Sequence, residues 1–187
     1  DEDKAKVSVF DRGFLFADAV YEVTAVIDGK ILEWDGHVKR LERSVKELDM
    51  KFPISETELL DIHFDLIKKN KLKEGLIYLQ VTRGEDDRSF DYPDESVKPT
   101  LVLFTQVKSL SESNIAKTGL KVISVPDIRW GRRDIKTVQL LAPSMCKMMA
   151  KKKNKDDAWM TQDGFITEGT SNNAYIITKD NVLITRN

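Results

Sequence analysis

The stretch Ala19–Ile27 constrains the fold more than any other part of the chain. Tyr21, Val23, Ala25 and Ile27 fall on one side and Val20, Glu22, Thr24 and Val26 on the other, the period of two that a β-strand imposes. Asp28-Gly29 then supplies residues tolerant of positive φ, the chemistry of a tight hairpin turn, and Ile31–Trp34 reads as the returning strand. The period then changes. Val38, Leu41, Val45 and Leu48 form the apolar stripe of a helix. Ser55 and Glu58 make a capping box for a second helix, which carries Leu59, Ile62, Leu66 and Ile67 inward.

Strands Leu76–Thr82 and Thr100–Gln106 follow, on either side of a polar loop from Arg83 to Pro99. Lys108–Thr118 is polar and Ser-rich and reads as a linker. Beyond it come a strand (Leu120–Val125), an irregular stretch with Pro126, and a helical run beginning after Lys136. A hairpin, Ala158–Thr161 with Phe165–Thr167, turns at Asp163-Gly164, and strands Ala174–Thr178 and Val182–Thr185 close the chain. Strands and helices mixed in two blocks predict an α+β protein. Its expected domains are an N-terminal α/β domain over 1–107, a linker over 108–118 and the start of a C-terminal domain over 119–187.

Charge narrows the partners. Thirty Lys and Arg nearly cancel 31 Asp and Glu, so no global field points to nucleic acid or an anionic membrane, and any anion site must be local. No apolar run approaches membrane-spanning length, which predicts a soluble protein. The lone Cys146 excludes an internal disulfide framework and fits a reducing compartment, so a cytoplasmic location is expected. The opening Asp-Glu-Asp-Lys has no signal-peptide character and no initiator Met, and Val182–Asn187 reads as a strand running off the end. Both features predict a chain cut from a longer one.

Two places could carry chemistry. Lys136 sits in Arg132-Arg133-Asp134-Ile135-Lys136-Thr137, between an irregular segment and a helix, where a surface lysine is the ordinary reading. Glu168-Gly169-Thr170-Ser171-Asn172-Asn173 is a small polar loop between strands. It fits plain turn chemistry, and it also offers backbone N–H groups and hydroxyls to a phosphate. Composition and spacing do not choose between these readings.

Five segments in order resemble one family. Val9-Phe10-Asp11-Arg12-Gly13-Phe14-Leu15-Phe16, followed by Tyr21-Glu22-Val23, looks like the opening of fold-type-IV, pyridoxal-phosphate-dependent aminotransferases (class IV). Gly36-His37-Val38-Lys39-Arg40-Leu41 resembles their helix-borne His-x-x-Arg-Leu motif, and Tyr78-Leu79-Gln80-Val81-Thr82-Arg83-Gly84 their central strand and following loop. Asp134-Ile135-Lys136-Thr137 is similar to the segment around their catalytic lysine, and Thr167–Asn172 to their cofactor loop. The resemblance spans nearly the whole chain and is greatest to the D-amino acid transaminases. It implies a two-domain architecture whose C-terminal domain binds the cofactor and is truncated here.

The resemblance assigns roles. Lys136 becomes the Schiff-base lysine of pyridoxal 5′-phosphate and, once displaced by the substrate amine, carries the proton between substrate Cα and cofactor. Glu168 faces the pyridine nitrogen and keeps it protonated, so that the ring can absorb electrons. Arg40 grips the phosphate through its fork, while Ser171 and Thr170 hydrogen-bond ring or phosphate oxygens. His37 reads as structural, His63 as a surface or core residue, and no metal is assigned.

Tyr21 and Arg88 match residues that receive the substrate carboxylate. Because the loop arginine serves the neighbouring subunit in that group, the resemblance implies a homodimer with the active site near the subunit interface. Some D-amino acid enzymes carry Arg-x-His where this chain has Arg88-Ser89-Phe90, and Phe90 cannot donate a hydrogen bond. The implied reaction moves an amino group between a D-amino acid and a 2-oxo acid. A branched-chain L-amino acid aminotransferase or an aminodeoxychorismate lyase would use the same lysine and cofactor, and Arg88 favours the D-enzyme over both. A non-catalytic cofactor-binding or dimerisation module is the remaining alternative, opposed by the presence of both Lys136 and Glu168.

Overall fold

The computed structural model describes residues 2–112 and 114–186. Of the residues in the expected linker and closing strand, Ser113 and Asn187 lie outside the described ones, as does Asp1. The chain divides into two units, Asp1–Glu112 with Arg132–Val138, and Ser113–Gly131 with Gln139–Asn187.

The first unit is built on an antiparallel sheet ordered β2-β1-β3-β4, with β1 Ala19–Ile27, β2 Lys30–Ile31, β3 Gly75–Thr82 and β4 Thr100–Val107. The alternation of β1 decides its two sides. Val20, Glu22, Thr24 and Val26 are buried, whereas Tyr21, Val23, Ala25 and Ile27 are half-buried. On the buried side lie α2 (Trp34–Glu47) and α3 (Glu56–Asn70), which place Leu41, Val45 and Leu59 against Val20, Leu79 and Val81. Each such side chain contributes about 1.5–3 kcal/mol when taken fully out of water. The other side carries a row of rings: Tyr21 stacks on Tyr78 at 5.7 Å and Tyr78 on Phe104 at 4.9 Å.

The turn after β1 is the expected one, with Asp28 and Gly29 at φ 51° and 72°. The returning strand is shorter than expected. β2 stops at Ile31, Glu33 takes φ 53°, and Trp34 is the first residue of α2 rather than the end of a strand. A left-handed residue breaks the pleat, so Trp34 turns inward to meet His63 edge-on at 4.9 Å. The Ser55–Glu58 capping box forms as expected. The buried face of α3 is Leu59 and His63, while Ile62, Leu66 and Ile67 are half-buried. His63 is thus a core residue, its Nδ1 donating to the Leu59 carbonyl at 2.8 Å. A short helix missing from the sequence reading, α1 (Arg12–Phe16), precedes the sheet.

In the second unit β5 (Val122–Pro126) runs parallel to β6 (Asp157–Gln162), and β7 (Phe165–Gly169) pairs antiparallel with β6. The β6–β7 turn is Asp163-Gly164, both at positive φ. A parallel pair needs a crossover, and α5 (Leu141–Lys152) packs Cys146 and Ala150 onto Val125, Ala158 and Met160. α4 (Asn114–Thr118) falls within the stretch read as a linker, and β8 (Tyr175–Ile177) pairs with β9 (Leu183–Thr185). Among the described residues no helix is long and apolar enough to cross a membrane.

Candidate active site

Lys136 is positioned by the edge of β1. Because β2 pairs only with Val26 and Ile27, the edge at Ala19–Tyr21 is open, and residues 136–138 occupy it. The Tyr21 amide donates to the Lys136 carbonyl at 3.0 Å, and the Val138 amide to the Ala19 carbonyl at 3.2 Å. Ile135 is buried among Leu41 and Val45, the Lys136 amide reaches Ser44 Oγ at 3.4 Å, and Arg43 donates to the Asp134 carbonyl at 2.6 Å. Arg132 pairs with Glu47 and Asp134 at the surface, where each ion pair contributes little, so burial of Ile135 is the main anchor. From this fixed backbone the Lys136 amine turns onto the ring row, donating to Tyr21 Oη at 3.3 Å and lying 4.3 Å from the Tyr21 ring centre.

Arg40 stands on α2 beside the apolar stripe and reaches a buried carboxylate. Glu22, 3 % exposed, accepts from Arg40 Nε at 2.6 Å and Nη2 at 2.7 Å, and from His37 Nδ1 at 2.7 Å. Burial alone would raise the Glu22 pKa, but hydrogen bonds from Arg40 and His37 outweigh it and hold the group below its ordinary value. The Glu22 hydrogen bond likewise raises Arg40 against its burial. His37 spends its Nδ1 on Glu22, a contact in keeping with a structural place. Arg40 is more engaged than the resemblance implied: two of its three nitrogens serve Glu22, while Nη1 has no protein partner among the described residues and the side chain is 44 % exposed. An anion can still be met there.

The loop with Arg88 leaves β3 through a knot of charges. Asp11 caps α1, accepting from the Gly13 amide and from Thr82 Oγ1, both at 2.8 Å, and a Cβ on Gly13 would come within 2.5 Å of Thr82. Asp18 binds both Arg12 and Arg83, and Arg12 Nη1 holds the loop by the Ser89 and Asp91 carbonyls at 2.8 and 3.2 Å. Arg88 itself is exposed, over the Phe16 ring at 5.4 Å and the Phe90 ring at 5.8 Å.

Glu168 lies in β7 of the second unit, where Arg129 ion-pairs with its Oε1. Arg129 also holds Asp127, through Nε at 3.0 Å and Nη2 at 2.7 Å, and Thr167 Oγ1 donates to Asp127 at 2.8 Å. Burial pushes Asp127 up, yet the hydrogen bonds from Arg129 and Thr167 prevail and hold it well below the usual carboxylate range. In the following loop Thr170 Oγ1 donates to Asp157 at 2.5 Å, and Asn172 to the same carboxylate at 3.2 Å. The Thr170 proton is therefore committed to the protein, whereas Ser171 is exposed. Arg129 and Asp127 escaped the sequence reading. The available signal was their i, i+2 spacing after a strand, which puts opposite charges on one side of extended backbone.

The chemistry of these groups suits pyridoxal phosphate. The first unit presents an amine for an aldehyde and a guanidinium with donors to spare for a phosphate. The second presents a carboxylate with one oxygen free of protein partners among the described residues, and an exposed hydroxyl.

The family model "Amino-transferase class IV" matches residues 19–187, and the chain belongs to that family. It is 36% identical over 185 residues to the D-alanine aminotransferase of Staphylococcus haemolyticus, covering 99% of this chain and 65% of that protein. The D-alanine aminotransferase of Bacillus licheniformis is 35% identical, with 99% and 64% covered. In structure the chain matches the branched-chain amino acid aminotransferase of Escherichia coli with a TM-score of 0.83, at 19% identity, over 98% of this chain and 63% of that one. That likeness establishes the mixed α+β, fold-type-IV architecture. The chain spans about 65% of the length of the curated relatives it matches.

Proposed function

We propose that the protein is a pyridoxal-phosphate-dependent transaminase that moves an amino group between a D-amino acid, such as D-alanine, and a 2-oxo acid. Membership of the class IV family and 36% identity to D-alanine aminotransferases support this choice over the other chemistries of the fold. The observation that carries it is the placement of Lys136, whose backbone is built into the edge of β1 and whose amine rests on Tyr21. A lysine kept only for solubility has no need of either contact.

When bound, the cofactor supplies an electron sink for the breaking Cα–H bond. The chain's own residues supply the rest. Lys136 is the amine that holds the cofactor aldehyde and, once released, moves the proton at the substrate Cα. Arg40 gives Nη1 and its remaining donors to the phosphate, and Ser171 adds a hydroxyl. Glu168 would keep a proton on the ring nitrogen of the bound cofactor. Tyr21 and Arg88 receive the substrate carboxylate, Arg88 in a homodimer acting on the partner subunit's substrate, in keeping with its exposed place. The test supplies the protein with pyridoxal phosphate, 2-oxoglutarate and either D-alanine or L-leucine. Pyruvate from D-alanine with no turnover of L-leucine is expected, and the opposite preference would return the branched-chain reading.

A further inference from the structure

Arg129 links two carboxylates of unequal freedom. The Asp127 side chain is shut off from solvent, held by Nε and Nη2 of Arg129 and by Thr167 Oγ1. Thr167 is the residue before Glu168 in β7, so Asp127 is tied to the strand that carries Glu168 as well as to the guanidinium that grips it. Glu168 is 37 % exposed, and a glutamate so placed would ordinarily sample several rotamers. Here Nη1 takes Oε1 and leaves Oε2 without a protein partner among the described residues.

We propose that Arg129 is a positioning residue for Glu168: it fixes the carboxylate so that Oε2 is the oxygen offered to the ring nitrogen of pyridoxal phosphate, with Asp127 as the buttress that fixes Arg129. This rests on the role given to Glu168 above. The planar fork of arginine spans both carboxylates at once, which a single lysine ammonium does not do.

The test is a double-variant cycle on the protein loaded with pyridoxal 5′-phosphate carrying 15N at its ring nitrogen. Parent, Arg129→Met, Glu168→Gln and the double variant are compared by the 15N shift, which reports protonation of that nitrogen, and by kcat. Loss of Arg129 leaves the buried Asp127 with fewer partners, so the set is repeated with Asp127→Asn, which removes that charge. Arg129→Met is expected to move the 15N signal toward that of Glu168→Gln and to lower kcat about tenfold to a hundredfold, the scale of a small misplacement. The double variant should then look like Glu168→Gln alone, and Arg129→Lys should not restore the signal. An unchanged 15N signal in Arg129→Met, or losses in kcat that multiply in the double variant, would overturn the proposal alone. A parent that takes up no cofactor would overturn the reading of function, and the proposal with it.

Discussion

Lys136 and Tyr21 hold each other twice: the Tyr21 amide donates to the Lys136 carbonyl at 3.0 Å, and the Lys136 amine donates to the Tyr21 hydroxyl at 3.3 Å. The first contact fixes where the lysine side chain begins and the second where it ends. An amine so constrained at both ends reaches a reactant with little conformational freedom left to lose.

Tyr21→Phe separates these contacts. The strand pairing and the stack on Tyr78 survive, so unfolding stability should change by no more than about 1 kcal/mol. Turnover should fall while cofactor remains bound, because the amine loses its partner. Parent-like kcat and KM would mean that the hydroxyl does nothing for Lys136.

Arg40 has two duties that one pair of variants separates. Arg40→Ala strips the buried Glu22 of its main partner, which should cost about 2 kcal/mol of stability once the exposure of Arg40 is allowed for. It should also weaken pyridoxal phosphate binding by about 1.5–3 kcal/mol, the scale of a charged hydrogen bond. Adding Glu22→Gln removes the stranded charge, so stability should recover in a denaturant titration while cofactor affinity should not. Affinity restored along with stability would confine Arg40 to a structural role.

The regular parts of the fold were legible because their patterns are local. Alternation marked β1, the Val38–Leu41–Val45 stripe marked α2, and Ser55 with Glu58 marked the start of α3. Trp34 misled because only the φ of Glu33, invisible in a residue list, ends the strand so early. Residues 136–138 pair with β1 across more than a hundred positions, a contact that no periodicity announces. In the site, Lys136 and Glu168 stood out through resemblance alone. Arg40 and Arg129 reach Glu22 and Glu168 across long stretches of sequence, and a chain with a third of its residues charged offers too many candidate pairs to choose from.

His63 predicts a pH dependence. Burial pushes its imidazole below the ordinary value, against the hydrogen bond to the Leu59 carbonyl that favours the charged form. The unfolded chain therefore takes up the proton first, near pH of about 6.5. Stability from neutral His63 is fully present above that value and is lost as pH falls through the lower folded one. Denaturant titrations from pH 8 to 5 should show the decline, and His63→Phe should flatten it. Parallel pH profiles for the two proteins would contradict the assignment.

Arg88→Ala tests substrate recognition. The side chain is exposed and lies over the Phe16 and Phe90 rings, so the fold should be unaffected. If it receives the substrate carboxylate, KM for a D-amino acid and for its 2-oxo acid should both rise about tenfold to a hundredfold, with cofactor binding unchanged. Unchanged KM for both would leave Arg88 a solvated loop charge balanced by Glu85, Asp86 and Asp87.

The central claim is that Lys136 is the lysine to which the cofactor attaches. Borohydride reduction of the protein loaded with pyridoxal phosphate, followed by peptide mapping, tests it directly. The label is expected on the peptide containing Asp134-Ile135-Lys136-Thr137 and should be absent from Lys136→Ala. A label on any other lysine, or one that persists in Lys136→Ala, would contradict the account.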